Sequence, residues 1–303
     1  MITVLAVVAG SAPASAGASA WVEPFGAIRL SVGYSASRSE RMFAPADAPG
    51  FLGPLCPDPV GPRQRMPYSC VTGGRFVHHG LFFDASVGVA PHLTVDLSVP
   101  VVPFARFEDD LGGTTVRGVG DIRWGLRAGG EVGPWTFAGA AHVAAPTAPL
   151  GLRDREVPLG EGHWDLELGG AVGRSLYPFG WVEAATALRI RIPGREVSID
   201  RGEEWIGSLS GGFTPVQWFA ATARLNWILA APDADSFGLK SPGRRLLQIA
   251  PGVLFRPLED LTVAASLALP VMGARWPSGA VLNLSVGGRI RLRRPSRGDD
   301  TAS

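Results

Sequence analysis

The chain has 303 residues, which is long enough for one large domain or for two smaller ones. Only 18% of the residues are charged and 46% are hydrophobic, whereas about a quarter of the residues are charged in an ordinary soluble domain. The formal net charge of +1, without a block of like charge before the arginine-rich end, argues against a protein that binds nucleic acid.

Residues 1–20 predict a secretory signal peptide. A short apolar core precedes small residues, with an A-x-A pattern at 14–16 and a second one at 18–20. No Lys or Arg precedes this core, and we expect the true translation start to lie upstream. No later stretch of about 20 residues has the apolar, proline-free character of a transmembrane helix. The mature chain is therefore either soluble in an envelope compartment or enters a membrane as strands.

Both cysteines, Cys56 and Cys70, lie in the proline-rich segment FLGPLCPDPVGPRQRMPYSC. We expect a disulfide that closes this loop in an oxidising compartment, the alternative being two unrelated thiols. Zinc is not expected here, because C-x-x-C spacing and suitably placed histidines are both lacking. The sequence predicts no metal site and no cofactor.

Alternating residue patterns predict about twelve strands. They cover 21–37, 73–89, 93–107, 118–131, 135–146, 161–176, 181–192, 202–214, 217–231, 244–256, 261–273 and 279–293. Every second connection is a tight turn, and the others are longer and richer in Pro, Gly and charge, which is typical of bacterial outer-membrane barrels. We therefore predict an all-β fold, a single antiparallel transmembrane barrel over 21–293 with periplasmic turns and extracellular loops, followed by a polar tail over 294–303.

The predicted strands have one charged face and one apolar face. In GVGDIRWGLRAGG, residues 118–130, Asp121, Arg123 and Arg127 share one parity, and Trp124 belongs to the apolar opposite parity. A membrane barrel turns the apolar face to lipid, whereas a soluble sandwich hides it in a core. Alternation by itself fits both arrangements.

Tryptophans near the predicted strand ends favour the membrane alternative, because indole rings suit the headgroup level. The first belt follows the tight turns and contains Trp21, Trp135, Trp181 and Trp218; the second lies toward the loops and contains Trp164, Trp205 and Trp276. Aromatic residues also occur near strand ends in any sheet. In addition, Trp181 and Trp218 have the parity of the charged face, so either a bulge redirects them or they lie outside the belt.

Charged side chains on the polar face are the predicted pore-lining residues, because a wet lumen removes most of the desolvation cost that a soluble core would impose. They are Arg29, Asp96, Asp121, Arg123, Arg127, Asp165, Glu167, Glu183, Arg189, Arg191, Glu204, Arg224, Arg289 and Arg291. Arg289 and Arg291, with Arg293, are expected to face Arg29 across the seam of the barrel and to favour anions. Whether the charges select solutes or only cross-link the lumen stays open.

The stretch GVGDIRWGLRAGG resembles the Gly-x-Gly-Asp strand motif of outer-membrane transport barrels of the MetA-pathway phenol-degradation type. The motif covers residues 118–127. The resemblance implies a signal peptide, a barrel of about this length and the passage of small, often hydrophobic solutes. Outer-membrane lipid, the barrel-assembly machinery and a small solute are the expected partners, and the outer membrane of a Gram-negative bacterium is the expected location.

Two other functions share the barrel. One is a hydrolase with its site at the rim, for which His163 with Asp165, the loop residues Asp109 and Asp110, and His142 are the candidates. No nucleophile motif accompanies them, so we predict no enzyme and no catalytic residue. His78 and His79 are neighbours on a strand and point to opposite faces, so they cannot form a metal pair. The other alternative is a structural or adhesive barrel without an open pore.

Overall fold

The computed structural model describes residues 19–40, 75–109, 112–147, 159–160, 162–193, 199–235 and 240–291. Apart from its last two residues, the predicted signal peptide lies outside this part of the chain, as do Cys56, Cys70, Asp110 and the tail over 294–303. Across the same ranges, no helix has the length and apolar character needed to cross a membrane.

Sixteen β-strands occur in the described residues. They are β1 (Ala27–Ser39), β2 (Arg75–Ala90), β3 (Leu93–Asp109), β4 (Gly112–Val119), β5 (Ile122–Val132), β6 (Trp135–Ala145), β7 (His163–Ser175), β8 (Gly180–Pro193), β9 (Ile199–Asp200), β10 (Glu204–Val216), β11 (Phe219–Ala230), β12 (Asp233–Asp235), β13 (Lys240–Ser241), β14 (Arg245–Leu258), β15 (Leu261–Ala274) and β16 (Val281–Arg291).

Twelve of these strands close into one antiparallel barrel, which confirms the predicted fold. The order around the barrel is β1, β2, β3, β5, β6, β7, β8, β10, β11, β14, β15 and β16, and β16 pairs with β1 to close it. Strand β4 continues the line of β5 after a break at residues 120–121 and pairs with the outer part of β3. Strands β9, β12 and β13 form a separate small sheet.

The two ends of the barrel differ in their connections. At one end, which we call the turn end, short connections at 91–92, 133–134, 176–179, 217–218 and 259–260 join consecutive strands, as predicted. At the other end, the loop end, the connections are longer. Both Ala27, which begins β1, and Arg291, which ends the described part of β16, lie at the turn end.

The outer face of the barrel is apolar. Along β5, Trp124 and Leu126 are 41% and 51% exposed, whereas Arg127 is only 8% exposed. The same pattern recurs on β1, where Leu30 and Val32 are exposed. Because the barrel is closed and its charged face points inward, this arrangement excludes the soluble sandwich and is that of a barrel whose exterior contacts lipid.

Five tryptophans stand exposed near the two ends of the barrel. Trp135 and Trp218 lie at the turn end, and Trp124, Trp164 and Trp205 lie toward the loop end. The other predicted members of the belts have different positions. Trp181 and Trp276 line the interior, and Trp21 packs edge-on against Trp181 with ring centroids 5.9 Å apart. Their placement inside the barrel corrects the prediction for Trp21 and Trp276, and for Trp181 it agrees with the second alternative, a position outside the belt.

Two predicted element boundaries are also wrong. The first strand begins at Ala27 rather than at residue 21, because residues 19–26 leave the ladder and run into the barrel. Pro24 has no N–H to donate to a strand ladder, which fits this break. The predicted loop over 108–117 is in part the hairpin of β3 and β4, with Thr114, Thr115 and Val116 paired to β3. These β-branched residues favour a strand.

Candidate functional site

A cavity of about 680 Å³ occupies the interior of the barrel. Its lining extends from Ser39, Phe76 and Trp276 at the loop end to Ser19 and Trp181 at the turn end. The volume falls in the range of about 300–1,000 Å³ that small-molecule sites occupy. The lumen is therefore the candidate functional site.

Most of the predicted pore-lining residues lie around this cavity. Ten line it directly: Asp96, Asp121, Arg123, Arg127, Asp165, Glu167, Arg189, Arg191, Glu204 and Arg224. Three others, Glu183, Arg29 and Arg289, bind residues 19–23 inside the turn end. Arg291 is exposed at the end of β16, and its predicted neighbour Arg293 lies outside the described residues.

A single register row crosses six strands and brings four charged side chains and one histidine together. Asp96 on β3 is opposite Gly125 on β5, and Gly125 is opposite His142 on β6. The row continues through Glu167 on β7, Arg189 on β8 and Glu204 on β10. Directly opposed residues on one sheet face can interact across the strands. We call this half of the lumen the charged wall.

Glycine at position 125 leaves space for His142 on β6 to reach across β5 to Asp96 on β3. The His142 ring lies over Gly125 and places its Nε2 3.5 Å from Oδ2 of Asp96, whose other oxygen, Oδ1, accepts from Arg127 at 3.0 Å. A Cβ at position 125 would lie 2.3 Å from the Ala141 carbonyl oxygen and 2.3 Å from Cδ2 of His142. The absence of a side chain at position 125 thus lets His142 reach Asp96.

We expect Gly125→Ala to lower the free energy of unfolding by about 1–3 kcal/mol, since the added methyl meets backbone as well as the ring. Urea unfolding of the protein refolded in detergent, followed by tryptophan fluorescence, measures this change. Gly130→Ala on the same strand is the matched control, because a Cβ at position 130 would meet only Nδ1 of His92, at 3.9 Å. Equal stability of the two variants would contradict the role of Gly125.

Glu204 is a carboxylate of the charged wall with three arginine partners and is 2% exposed. Its Oε2 accepts from Nη1 of Arg189 and lies near Nη2 of Arg191, both at 3.0 Å, and its Oε1 accepts from Arg244 at 2.8 Å. Arg244, which lies just before β14, was not among the pore-lining residues predicted from the sequence. Its signal was ambiguous, because Arg245 beside it has the opposite parity and is exposed.

Residues 19–26 form an inserted segment that crosses the turn end of the lumen. At one side, Ser19 Oγ and the Ala20 N–H both donate to Glu183 at 3.0 Å, so a mature chain that keeps this anchor requires cleavage at the first A-x-A pattern, 14–16, and not after residue 20. At the other side, the Glu23 N–H donates to Thr94 Oγ1 at 2.8 Å, and the buried Glu23 carboxylate accepts from Arg29 at 2.6 Å and Arg289 at 3.1 Å. The inserted segment was missed because its alternation continues that of β1.

Aromatic and basic groups narrow the loop end. The Trp276 ring lines the cavity and lies 6.0 Å from the guanidinium carbon of Arg244, within the range of a cation–π contact. Leu159 packs against Val102 and Ala105 on the inner face of β3. The described lumen is thus narrowed at both ends, by the inserted segment and by these side chains.

Of the candidates for a hydrolase, His163, Asp165 and His142 lie in the described barrel wall, whereas Asp109 ends β3 and is not a loop residue. His163 is buried, and Asp165 lies 3.9 Å from Nε of Arg189 and 4.0 Å from Nε of Arg191. His142 faces Asp96 in the register row, as described above. His78 lines the cavity, whereas His79 stands on the opposite face with its Nδ1 2.5 Å from Oη of Tyr34, as the parity predicted.

No family model matches the sequence, and no curated protein matches it in sequence. Among solved structures, the COG4313 outer membrane channel from Pseudomonas putida F1 has a TM-score of 0.69 at 14% identity, with 89% of this chain and 97% of that chain covered. The translocator domain of autotransporter NalP from Neisseria meningitidis has a TM-score of 0.44 at 8% identity, with 89% and 90% covered. The TodX deltaS2S3 mutant, a monoaromatic hydrocarbon channel, has a TM-score of 0.44 at 10% identity, with 89% and 91% covered. The chain thus shares the fold of the Pseudomonas outer-membrane channel along most of its length.

Proposed function

We propose that this protein is a channel or transporter-like barrel in the outer membrane of a Gram-negative bacterium, through which a small solute passes. One observation supports this most directly. A cavity lined by residues of both ends lies inside a closed barrel whose exterior is apolar. No covalent step and no cofactor enter the proposal, and the resemblance to barrels of the MetA-pathway phenol-degradation type is part of it.

Selection in this proposal depends on size more than on charge, because the charges of the lumen are largely paired. Glu167 accepts from Arg123 at 2.6 Å and from Arg189 at 3.2 Å. At the seam of β1 and β16, where the sequence predicted an anion-favouring cluster, Glu23 binds both Arg29 and Arg289. Paired charges attract a free ion weakly, so we expect weak ion selectivity.

The inserted segment sets the bore of the channel at the turn end, since its backbone and the Trp21 ring occupy the space between opposite walls. A twelve-stranded barrel is narrower than porins of about 16–18 strands even when it is empty. Solutes that pass must therefore be small. The adhesive alternative depends on the loop over 41–74, which lies outside the described residues.

Planar-bilayer conductance of the protein refolded in detergent tests this proposal, together with its heat-modifiable mobility on gels. We expect small discrete conductance steps with weak ion selectivity and a folded band that shifts on heating. A shifted band without conductance, and without swelling of liposomes in a small sugar such as arabinose, would contradict passage and retain the barrel. Absence of the shift would contradict the membrane barrel itself.

A further inference from the structure

The lumen has a second wall, formed by β1, β2, β15 and β16, whose side chains are small and mostly uncharged. Its lining residues include Ser31, Gly33, Ser37, Gly80, Ser266, Ala268, Asn283 and Ser285. Among the described residues of these four strands, the charged side chains that face the lumen lie toward the turn end. There Asp84 accepts hydrogen bonds from Ser98 at 2.6 Å and Ser31 at 3.4 Å, and Arg29 and Arg289 bind Glu23. We call the part of this wall nearer the loop end the neutral wall.

Several buried polar atoms of the neutral wall have no hydrogen-bond partner among the described residues. His78 is 2% exposed, lines the cavity, and has neither ring nitrogen bonded. Oδ1 of Asn283 and Oγ of Ser35 are likewise unbonded, although Nδ2 of Asn283 donates to the Val281 carbonyl at 3.4 Å. An unsatisfied buried polar group is rare in folded proteins, because it loses its hydrogen bonds to water without replacement. Unbonded atoms occur elsewhere in the lumen as well, among them Oδ1 of Asn226 and Oγ of Ser210, so these atoms mark a place where water or a solute binds, and their surroundings decide between the two.

The unbonded groups lie together. Asn283 on β16 is opposite Ser35 on β1, and Ser35 is opposite Gly80 on β2. A Cβ at position 80 would lie 2.9 Å from Cε1 of His78, 3.1 Å from Oγ of Ser35 and 3.2 Å from Cε2 of Phe82. Glycine at position 80 thus lets the imidazole, the hydroxyl and an aromatic ring converge on one patch of the wall.

Aromatic rings flank the polar atoms. Phe82 lines the cavity on the turn-end side of Gly80. Phe76 stacks on the His78 ring, with ring centroids 6.2 Å apart and an interplanar angle of 14°. The patch therefore offers hydrogen-bonding atoms beside an apolar surface. A neutral imidazole has one donor and one acceptor, and the Asn283 oxygen is an acceptor. None of the side chains that form this patch is a carboxylate, a lysine or an arginine.

We propose that His78 and Asn283, with Phe82, form a binding site for an uncharged solute that carries a hydroxyl or carbonyl group on a small apolar body. The polar group of the solute satisfies His78 and Asn283, and the body lies against Phe82. The patch itself holds no counter-charge for a charged solute, because the first carboxylate on the same face of β2 is Asp84, one step beyond Phe82 toward the turn end. The site rests on the proposed function, since it names the solute class that the lumen takes.

Isothermal titration calorimetry on the full chain refolded in detergent tests the site with three probes of one shape. These are cyclohexanol, cyclohexylammonium and cyclohexanecarboxylate, each corrected for titration into empty micelles. We expect cyclohexanol to bind in preference to both charged probes. His78→Phe and Asn283→Leu each remove one hydrogen-bonding group at similar volume and should weaken cyclohexanol binding about five- to tenfold.

His79→Phe is the matched control, because it makes the same substitution one residue away on the opposite face of β2, where His79 contacts Tyr34 and Phe104. It should leave binding unchanged. Equal binding of charged and uncharged probes, or unchanged affinity in a His78→Phe variant that retains heat-modifiable mobility, would overturn the site. Arabinose swelling of wild-type proteoliposomes is measured in parallel. Binding without swelling supports the site and contradicts passage, whereas swelling without binding overturns the site alone.

Discussion

Glu204→Gln is expected to lower the free energy of unfolding by about 3–5 kcal/mol, the range for breaking a buried ion pair by removing one partner. Glutamine keeps the shape of the side chain and removes its negative charge. The carboxylate of Glu204 binds Arg189, Arg191 and Arg244 at 2.8–3.0 Å, and the side chains of Arg191 and Arg244 are only 1% and 4% exposed. Both guanidinium groups would then lie in a buried site with less opposing charge.

The change is measured by urea unfolding in detergent, with tryptophan fluorescence and gel mobility as independent signals. Glu203→Gln is the matched control, since Glu203 is the preceding residue and is exposed. Its expected effect is within about 0.5 kcal/mol, as for most surface substitutions. If the two variants unfold at the same urea concentration, then water in the lumen screens the arginines and Glu204 does not organise the charged wall.

Alternation and turn length were sufficient to predict the barrel. In β8, for example, Glu183, Arg189 and Arg191 share a parity, and all three face the interior. This works because side chains on a strand alternate between faces, so a charged-in and apolar-out barrel leaves a period of two in the sequence. Short turns such as 133–134 leave an equally local signal.

The register row of the charged wall was only partly predictable from the sequence. Parity placed Glu167 and Glu204 in the lumen, but their common row depends on the registers of β7 with β8 and of β8 with β10. The full row from Asp96 depends on five such registers, which no single strand records. The geometry at Gly125 also needs that register. Glycine in a strand predicts a close approach in general, and only the pairing with His142 shows what approaches.

The inserted segment shows where a period of two misleads. Glu23 has the parity of Ala27 and Arg29, so the pattern continues through it as one strand. Besides Arg29, it contacts Thr94 and Arg289, which are 71 and 266 residues away. Pro24 was the one local signal of a break. Contacts over such separations depend on the closure of the barrel and cannot be inferred from the segment itself.

Glu23→Ala is expected to release the inserted segment from the turn end. The substitution removes the carboxylate that bridges Arg29 and Arg289 across the β1–β16 seam and leaves the anchors at Glu183 in place. The two arginine side chains are 50% and 31% exposed, so solvent screens their ion pairs with Glu23 and the expected loss of stabilisation of the inserted segment is smaller than for a fully buried pair. A loss of roughly 1–2 kcal/mol raises the released fraction about tenfold.

Two measurements detect the release of the inserted segment, and only one of them depends on conductance through the barrel. Limited proteolysis of folded protein in detergent should cut the segment near Trp21 about tenfold faster in the variant, and this readout does not depend on conductance. Bilayer recordings should show more frequent excursions to a larger conductance.

Glu259→Ala is the control, because Glu259 is an exposed carboxylate in the turn beside Asp260, whose carbonyl accepts from the Arg289 N–H. Faster proteolysis without a change in conductance would mean that the bore is set elsewhere, and Trp276 with Arg244 at the loop end would then be the constriction. Unchanged proteolysis would mean that Glu183 and the contact of Trp21 with Trp181 hold the segment by themselves.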